Sequence, residues 1–224
     1  MIKIKSHLDF ERLLKALSDD VIDAHIHFRM HADLVESTNK DPIVFQQSSF
    51  FWGLTIQAHL NSCLYALFRA YDQEKTSLHL RSWLITIQAN MQLFEDAAFR
   101  ERLKDNPYVA SLAEGAQKPD FAVLAKDIAS CSANDPIVKK MTIYRSSRIA
   151  HSSAKKLIVK LGHDENNALT FDDLKELLGR AKSILNRYSY LFAASVYSTE
   201  VVGNDDYKYI FKSVVEKVEL DQRK

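Results

Sequence analysis

The chain has 224 residues, of which 46% are apolar and 26% charged. That is the balance of a globular protein and excludes a disordered one, and the length suffices to bury a core without disulfide or metal staples. A net charge of +1 excludes a global field that would draw the chain to nucleic acid or membrane, so any such binding must come from local patches.

Only 5 glycines and 4 prolines are present, too few for the frequent turns of a sheet protein, and the expected fold class is all-α. Cys63 and Cys131 are far apart with no CxxC partner, which fits buried thiols in a reducing compartment. The start, Met1-Ile2-Lys3-Ile4-Lys5, lacks the apolar stretch of a signal peptide. The most apolar stretch, residues 50–68, contains Gln57, His59 and Asn61, so no membrane span is expected. A cytoplasmic protein of one domain, residues 1–224, is the resulting expectation.

In chain order, residues 8–39 predict one or two helices, with Leu13, Leu14, Leu17, Val21, Ile22, His25 and Ile26 at helical spacing. Asp41-Pro42 supplies a cap and a first-turn proline. The next helix is expected to be long, residues 43–72, because Trp52, Ile56, Leu60, Leu64, Leu67 and Tyr71 form one apolar stripe. Gly53 inside it predicts a close helix contact, since Gly costs about 1 kcal/mol there relative to Ala. Ser77 is expected to cap a helix to about residue 94. Residues 105–119 are looser, with Pro107, Gly115 and Pro119 as breakers, and residues 120–131 suit a shorter helix. Asp135-Pro136 repeats the cap-then-proline signal and opens a helix to about His151. Residues 155–161 are β-branched enough to suit a short strand as well, and residues 161–169 read as a polar loop. Thr170 and Asp173 resemble a capping box, opening a helix to about Ser198 that ends before Gly203-Asn204. A last amphipathic helix is expected over residues 207–218. The sum is a bundle of about seven to nine helices.

The segment that can carry chemistry follows Asp135. Lys139, Lys140, Arg145, Arg148, Lys155, Lys156 and Lys160 face a single acid, Asp135, giving a local charge of +6. A focused basic patch can recruit a polyanion even when net charge is near zero. On a helix, Arg145, Arg148 and His151 fan over roughly 120° and continue the stripe of Ile137, Met141 and Tyr144. Half-buried guanidinium groups need a partner, either an internal carboxylate or a substrate phosphate. Arg69 and Asp72 are one helical turn apart and read as a surface ion pair, or with Asp72 orienting Arg145 or His151. His27 and His31 share a face at the spacing of a zinc pair, but no Glu follows His27 to complete HExxH, and metal binding is not expected. Tyr188, Tyr190 and Tyr197 suit the core better than base stacking, and Gly162 belongs to no phosphate-binding loop.

Arg145-Ser146-Ser147-Arg148-Ile149-Ala150-His151 resembles the Arg-x(4–6)-His motif of HEPN domains. Arg148 is too close to His151 to be the motif arginine. Phe50-Phe51-Trp52-Gly53-Leu54 on a long helix ending in Arg69-Ala70-Tyr71-Asp72, followed by Ser77-Leu78-His79-Leu80, is similar to the AbiU-like, abortive-infection branch of that superfamily. The resemblance implies a HEPN-like helical bundle with additional helices, and a metal-independent endoribonuclease that needs no cofactor. It further implies that His151 acts as general base or acid and Arg145 stabilises phosphate charge, while Arg148, Lys155 and Lys156 contact RNA. Ser146 stands where the family often has Asn; with Asp72 and Arg69 it is a supporting residue. Two copies are implied to meet as a homodimer with a composite site, in a toxin or phage-defence effector with a possible antitoxin or other protein partner. The alternative is a non-catalytic HEPN module that binds RNA or a protein, and a third reading is a helical interaction protein with a structural Arg/His network.

Overall fold

The structure is a computed structural model that describes residues 2–115, 118–146, 168–200, 203 and 205–223. The described residues form ten α-helices and one 3-10 turn, with no strand among them. These are α1 (His7–Lys40), α2 (Pro42–Gln47), α3 (Ser49–Ala70), α4 (Leu80–Ala89), the 3-10 turn Met91–Phe94, α5 (Asp96–Arg102), α6 (Val109–Gly115), α7 (Phe121–Ser130), α8 (Pro136–Tyr144), α9 (Phe171–Ala193) and α10 (Tyr207–Gln222). They sort into two compact units: Met1–Val21 with Leu67–Tyr197, and Ile22–Ala66 with Ser198–Lys224. No helix among the described residues is long and apolar enough to cross a membrane.

The first unit has an aromatic centre. Phe10 lies 4.7 Å from Phe192 and 5.8 Å from Trp83, centroid to centroid, and Trp83 meets Tyr188 edge-on at 6.0 Å. Phe10, Trp83, Tyr188 and Phe192 are at most 1% exposed, and removing an aromatic of this size from water is worth about 2–3 kcal/mol. Arg102 lies 4.0 Å over the Phe192 ring and donates to the Phe192 carbonyl at 2.8 Å. That places a cation on the negative face of the ring. Around this centre, caps start the helices where their residue types favour it. Asp120 accepts from the Val123 N–H, Asp135 from those of Ile137 and Val138, and Thr170 and Asp173 form a reciprocal capping box.

The second unit is smaller. Leu34, Val44, Trp52 and Phe211 make its core, with Phe45 and Ile56 packed beside them. Trp52 meets Phe211 edge-on at 5.3 Å, and Phe45 lies within 5.5 Å of both rings. Because α2 contributes Val44 and α3 contributes Trp52, the same apolar residues hold two helix directions together.

Several boundaries differ from the sequence reading. The stretch expected as one helix over residues 43–72 breaks at Ser48, whose backbone lies outside the helical region (φ −148°, ψ 53°) and whose carbonyl accepts the Trp52 N–H at 3.1 Å. Gln46, Gln47, Ser48 and Ser49 are all exposed, so no packing holds them in a continuous helix, and serine favours the cap. A Cβ on Gly53 would meet nothing within 4 Å, so the close contact expected there is absent among the described residues. The helix expected to start at Ser77 starts at Leu80, capped by His79. The helix expected to reach Ser198 stops at Ala193, because Ala194 turns left-handed (φ 50°) and donates back to the Tyr190 carbonyl. Asn186 then catches the departing chain, donating to the Tyr197 carbonyl and accepting its N–H at 2.7 Å. Cys63 and Cys131 are free and buried, as expected, and burial pushes each thiol up to about 12.

Candidate functional site

Arg145 ends α8. Val138 and Met141 on that helix are buried, and Arg145 continues their row at i+7 and i+4, so its stem leaves the core and its head emerges at the surface. Its side chain is 45% exposed, and Nη1 donates to Oδ1 of Asp72 at 3.1 Å.

Asp72 is itself held by local geometry. It follows α3 immediately, and its Oδ1 also accepts the backbone N–H groups of Gln73 (2.8 Å) and Glu74 (3.4 Å). Partial burial pushes the carboxyl up, but the Gln73 N–H, the Arg145 guanidinium and the Glu74 N–H outweigh it, so the pKa lies below the usual carboxylate value. Asp72 is therefore a charged acceptor at neutral pH.

Beyond Asp72 the chain folds tightly back to α4. His79 accepts the Ser82 N–H on Nδ1 at 3.3 Å, which leaves Nε2 to carry the proton and donate to the Glu74 carbonyl at 3.1 Å. Ser82 returns a hydroxyl to the Ser77 and His79 carbonyls. Both imidazole nitrogens are thus occupied by backbone, and burial lowers the His79 pKa. His79 holds the loop that presents Asp72 and has no nitrogen left for proton transfer.

The structure thus brings together two of the residues singled out from sequence, Asp72 and Arg145, and separates a third. Arg69 does not pair with Asp72; it binds Asp20 on α1, with Nε at 2.7 Å and Nη2 at 2.6 Å from Oδ1. Position explains it: Arg69 is exposed while Ala70 and Tyr71 are buried, so the arginine leaves α3 on the side of α1. Ser146 is described and exposed. Arg148, His151, Lys155, Lys156 and the expected loop over residues 161–169 fall wholly or largely outside the described residues.

The basic patch is partly neutralised from within. Lys140 donates to both carboxylate oxygens of Asp173, at 3.1 and 3.2 Å. Asp135 is held by Arg180 at 3.0 Å. Sequence reasoning missed these partners, and it missed Asp127, which accepts the Tyr188 hydroxyl at 2.8 Å and pairs with Arg187.

In the second unit, His27 and His31 do not act as a pair. His27 Nδ1 lies 2.9 Å from Nδ1 of His59, one nitrogen donating and the other accepting, and His31 Nδ1 lies 3.0 Å from the Ile56 carbonyl. No group of three metal-ligating side chains occurs among the described residues. A groove between α1 and α10 is lined by Arg29, Lys40, Lys208 and Lys212, but each has a carboxylate within 4 Å. It offers a polyanion no unneutralised charge.

Residues 8–210 match the HEPN family described as AbiU2. No curated protein and no solved structure matches the chain. The match spans both α3 with Asp72 and the Arg145…His151 motif, and it covers most of the sequence: the chain belongs to the AbiU2 family of HEPN proteins.

Proposed function

We propose that this protein is a metal-independent endoribonuclease acting at the Arg145…His151 motif. The observation that carries the reading is the placement of Arg145: at the end of α8, half exposed, and aimed by a carboxylate that three donors keep ionised. A guanidinium held in this way is preorganised to receive charge that develops on a phosphate.

In the proposed reaction His151 takes the proton of a ribose 2′-hydroxyl, whose oxygen attacks the adjacent phosphorus. The bond to the 5′-oxygen breaks, and that oxygen leaves with a proton supplied by a second imidazole. Imidazole suits both roles because it titrates near neutral pH. Arg145 stabilises the charge on the non-bridging oxygens, and Arg148, Lys155 and Lys156 hold the strand. DNA lacks the attacking hydroxyl and is spared. Two copies related by a two-fold axis supply the two imidazoles, which makes the active species a homodimer. Such an activity suits a toxin or phage-defence effector kept silent by a protein partner.

The test is cleavage of mixed RNA with chelator present, comparing the native protein with His151→Ala. The reading expects cleavage that leaves 2′,3′-cyclic phosphate and 5′-hydroxyl ends and disappears in the variant. A folded native protein that binds RNA without cutting it moves the assignment to a non-catalytic RNA-binding module, and cleavage retained by the variant places the chemistry elsewhere.

A further inference from the structure

From Pro42 to Phe68 the chain carries no Asp, Glu, Lys or Arg, although 26% of its residues are charged. Most of that stretch is α3, and the part of α3 up to Ala66 lies in the second unit. Trp52, Cys63 and Ala66 bury one face of the helix. The opposite face is apolar as well: Phe50 is 80% exposed, Phe51 59%, Leu54 56% and Tyr65 48%. At about 100° per residue these four, with Ala58 and Asn61, fall within an arc of roughly 100°. A surface helix normally carries charge on the side away from its core, whereas a helix apolar all round is a buried one. The described residues leave this second face open. Gly53 sits at its rim, where a Cβ would meet nothing within 4 Å. No contact among the described residues therefore accounts for a glycine that costs about 1 kcal/mol in a helix.

What the face can bind follows from what it lacks. It has no cation for a phosphate and no carboxylate for a basic partner. Helices that lie in a membrane surface carry lysine and arginine beside their apolar face, and none stands between Pro42 and Phe68. An identical uncharged face is its match in charge, and the areas agree. At these exposures the four large side chains offer roughly 450 Å². A standard interface buries about 800 Å² per partner, rather more than half of it apolar, which is the same amount.

We propose that two copies of this chain pair through this face of α3, antiparallel, about a two-fold axis at Ala58. Phe51 and Tyr65 stand about two helical turns to either side of Ala58. The axis then sets Phe51 of each copy beside Tyr65 of the other, and the small alanines let the helices close at the centre. The proposal rests on the two-copy assembly of the reading above and names its surface.

The test is sedimentation equilibrium of the native protein, Ala58→Glu, Ala58→Lys and an equimolar mixture of the two variants. We expect a native dimer. Each variant alone should dissociate about a hundredfold more readily, because the axis brings like charges together, and the mixture should recover the dimer. Leu54→Glu gives the same reading where Ala58→Glu does not fold. Phe121→Glu, at a 65% exposed phenylalanine on α7, should stay dimeric. A native dimer that Ala58→Glu and Leu54→Glu leave intact overturns this proposal and leaves the ribonuclease reading standing. A mixture that stays monomeric, or a Phe121→Glu that dissociates equally, also overturns it. A native monomer overturns both the surface and the two-copy assembly, and one that floats with phosphatidylcholine vesicles assigns the face to lipid instead. A dimer that dissociates as expected but never cuts RNA sinks the ribonuclease reading and keeps this one.

Discussion

Two carboxylate–guanidinium pairs in the first unit make opposite use of the same chemistry. Asp127, at 12% side-chain exposure, takes the Tyr188 hydroxyl and Arg187 on one oxygen, and Tyr188 belongs to the aromatic core. Asp72 takes two backbone N–H groups and Arg145, whose head is open to solvent. The first pair is closed by a core residue, so it locks α7 to α9. The second is closed on its own loop, so the structure aims Arg145 without covering it. A buried acid whose donors come from the core is an element of the fold, whereas one whose donors come from its own turn can present a cation to a ligand.

That contrast can be broken by substitution, the largest effect first. Asp127→Ala leaves the Tyr188 hydroxyl and Arg187 without their acceptor, and we expect about 3 kcal/mol of lost stability. Trp83 packs on Tyr188 and Trp52 lies in the other unit, so denaturation followed by Trp83 fluorescence in a Trp52→Phe background reads this loss directly. A loss under about 1 kcal/mol would place Asp127 in the same class as Asp72.

Arg145→Gln should lower RNA cleavage about a hundredfold, the usual effect of removing one preorganised donor, with little change in stability. Equal losses of stability in Arg145→Gln and Asp127→Ala would erase the distinction between the two pairs. Asp72→Asn keeps the shape and removes the charge, so it should lower cleavage about tenfold and cost under about 1 kcal/mol of stability. The folded pKa of Asp72 lies below its unfolded value. Its contribution is therefore present above the unfolded pKa, near 3.9, and is lost as pH falls through the folded pKa. Native and Asp72→Asn proteins should converge in stability in strong acid.

The smallest effect sharpens the comparison with the second unit. Burial, with His27 and His31 nearby, lowers the His59 pKa. The unfolded state then binds the proton more readily, so this contribution is full above about pH 6.5 and is lost as pH falls through the folded pKa. His59→Gln should flatten stability between about pH 5 and 7 by less than about 1 kcal/mol. An unchanged pH profile would remove His59 as the source.

Much of the local architecture was legible in the residues. Asp120, Asp135 and Thr170 with Asp173 are found as side-chain caps, because capping depends on a hydroxyl or carboxylate within a few residues of the N–H groups it meets. The apolar row through Leu64, Leu67 and Tyr71 is buried, because helical periodicity alone selects that face. The same local logic misled at Ser77. Serine caps well in general, but here its carbonyl takes the Ser82 hydroxyl while the His79 imidazole caps α4. That exchange depends on burial of His79, which no local pattern reports.

The sequence by itself determined the all-helical class, the helix starts at Phe121, Pro136 and Phe171, and the family motif around Arg145, because each rests on residues within one or two helical turns. The tertiary structure decided the partners: Asp72 with Arg145 across 73 positions, Arg69 with Asp20 across 49, and Asp127 with Tyr188 across 61. It also left the buried Nε of Arg81 without a hydrogen-bond partner among the described residues. A side chain's type states what it can bind, but only the packing of helices brings one group within the roughly 3 Å at which a hydrogen bond forms.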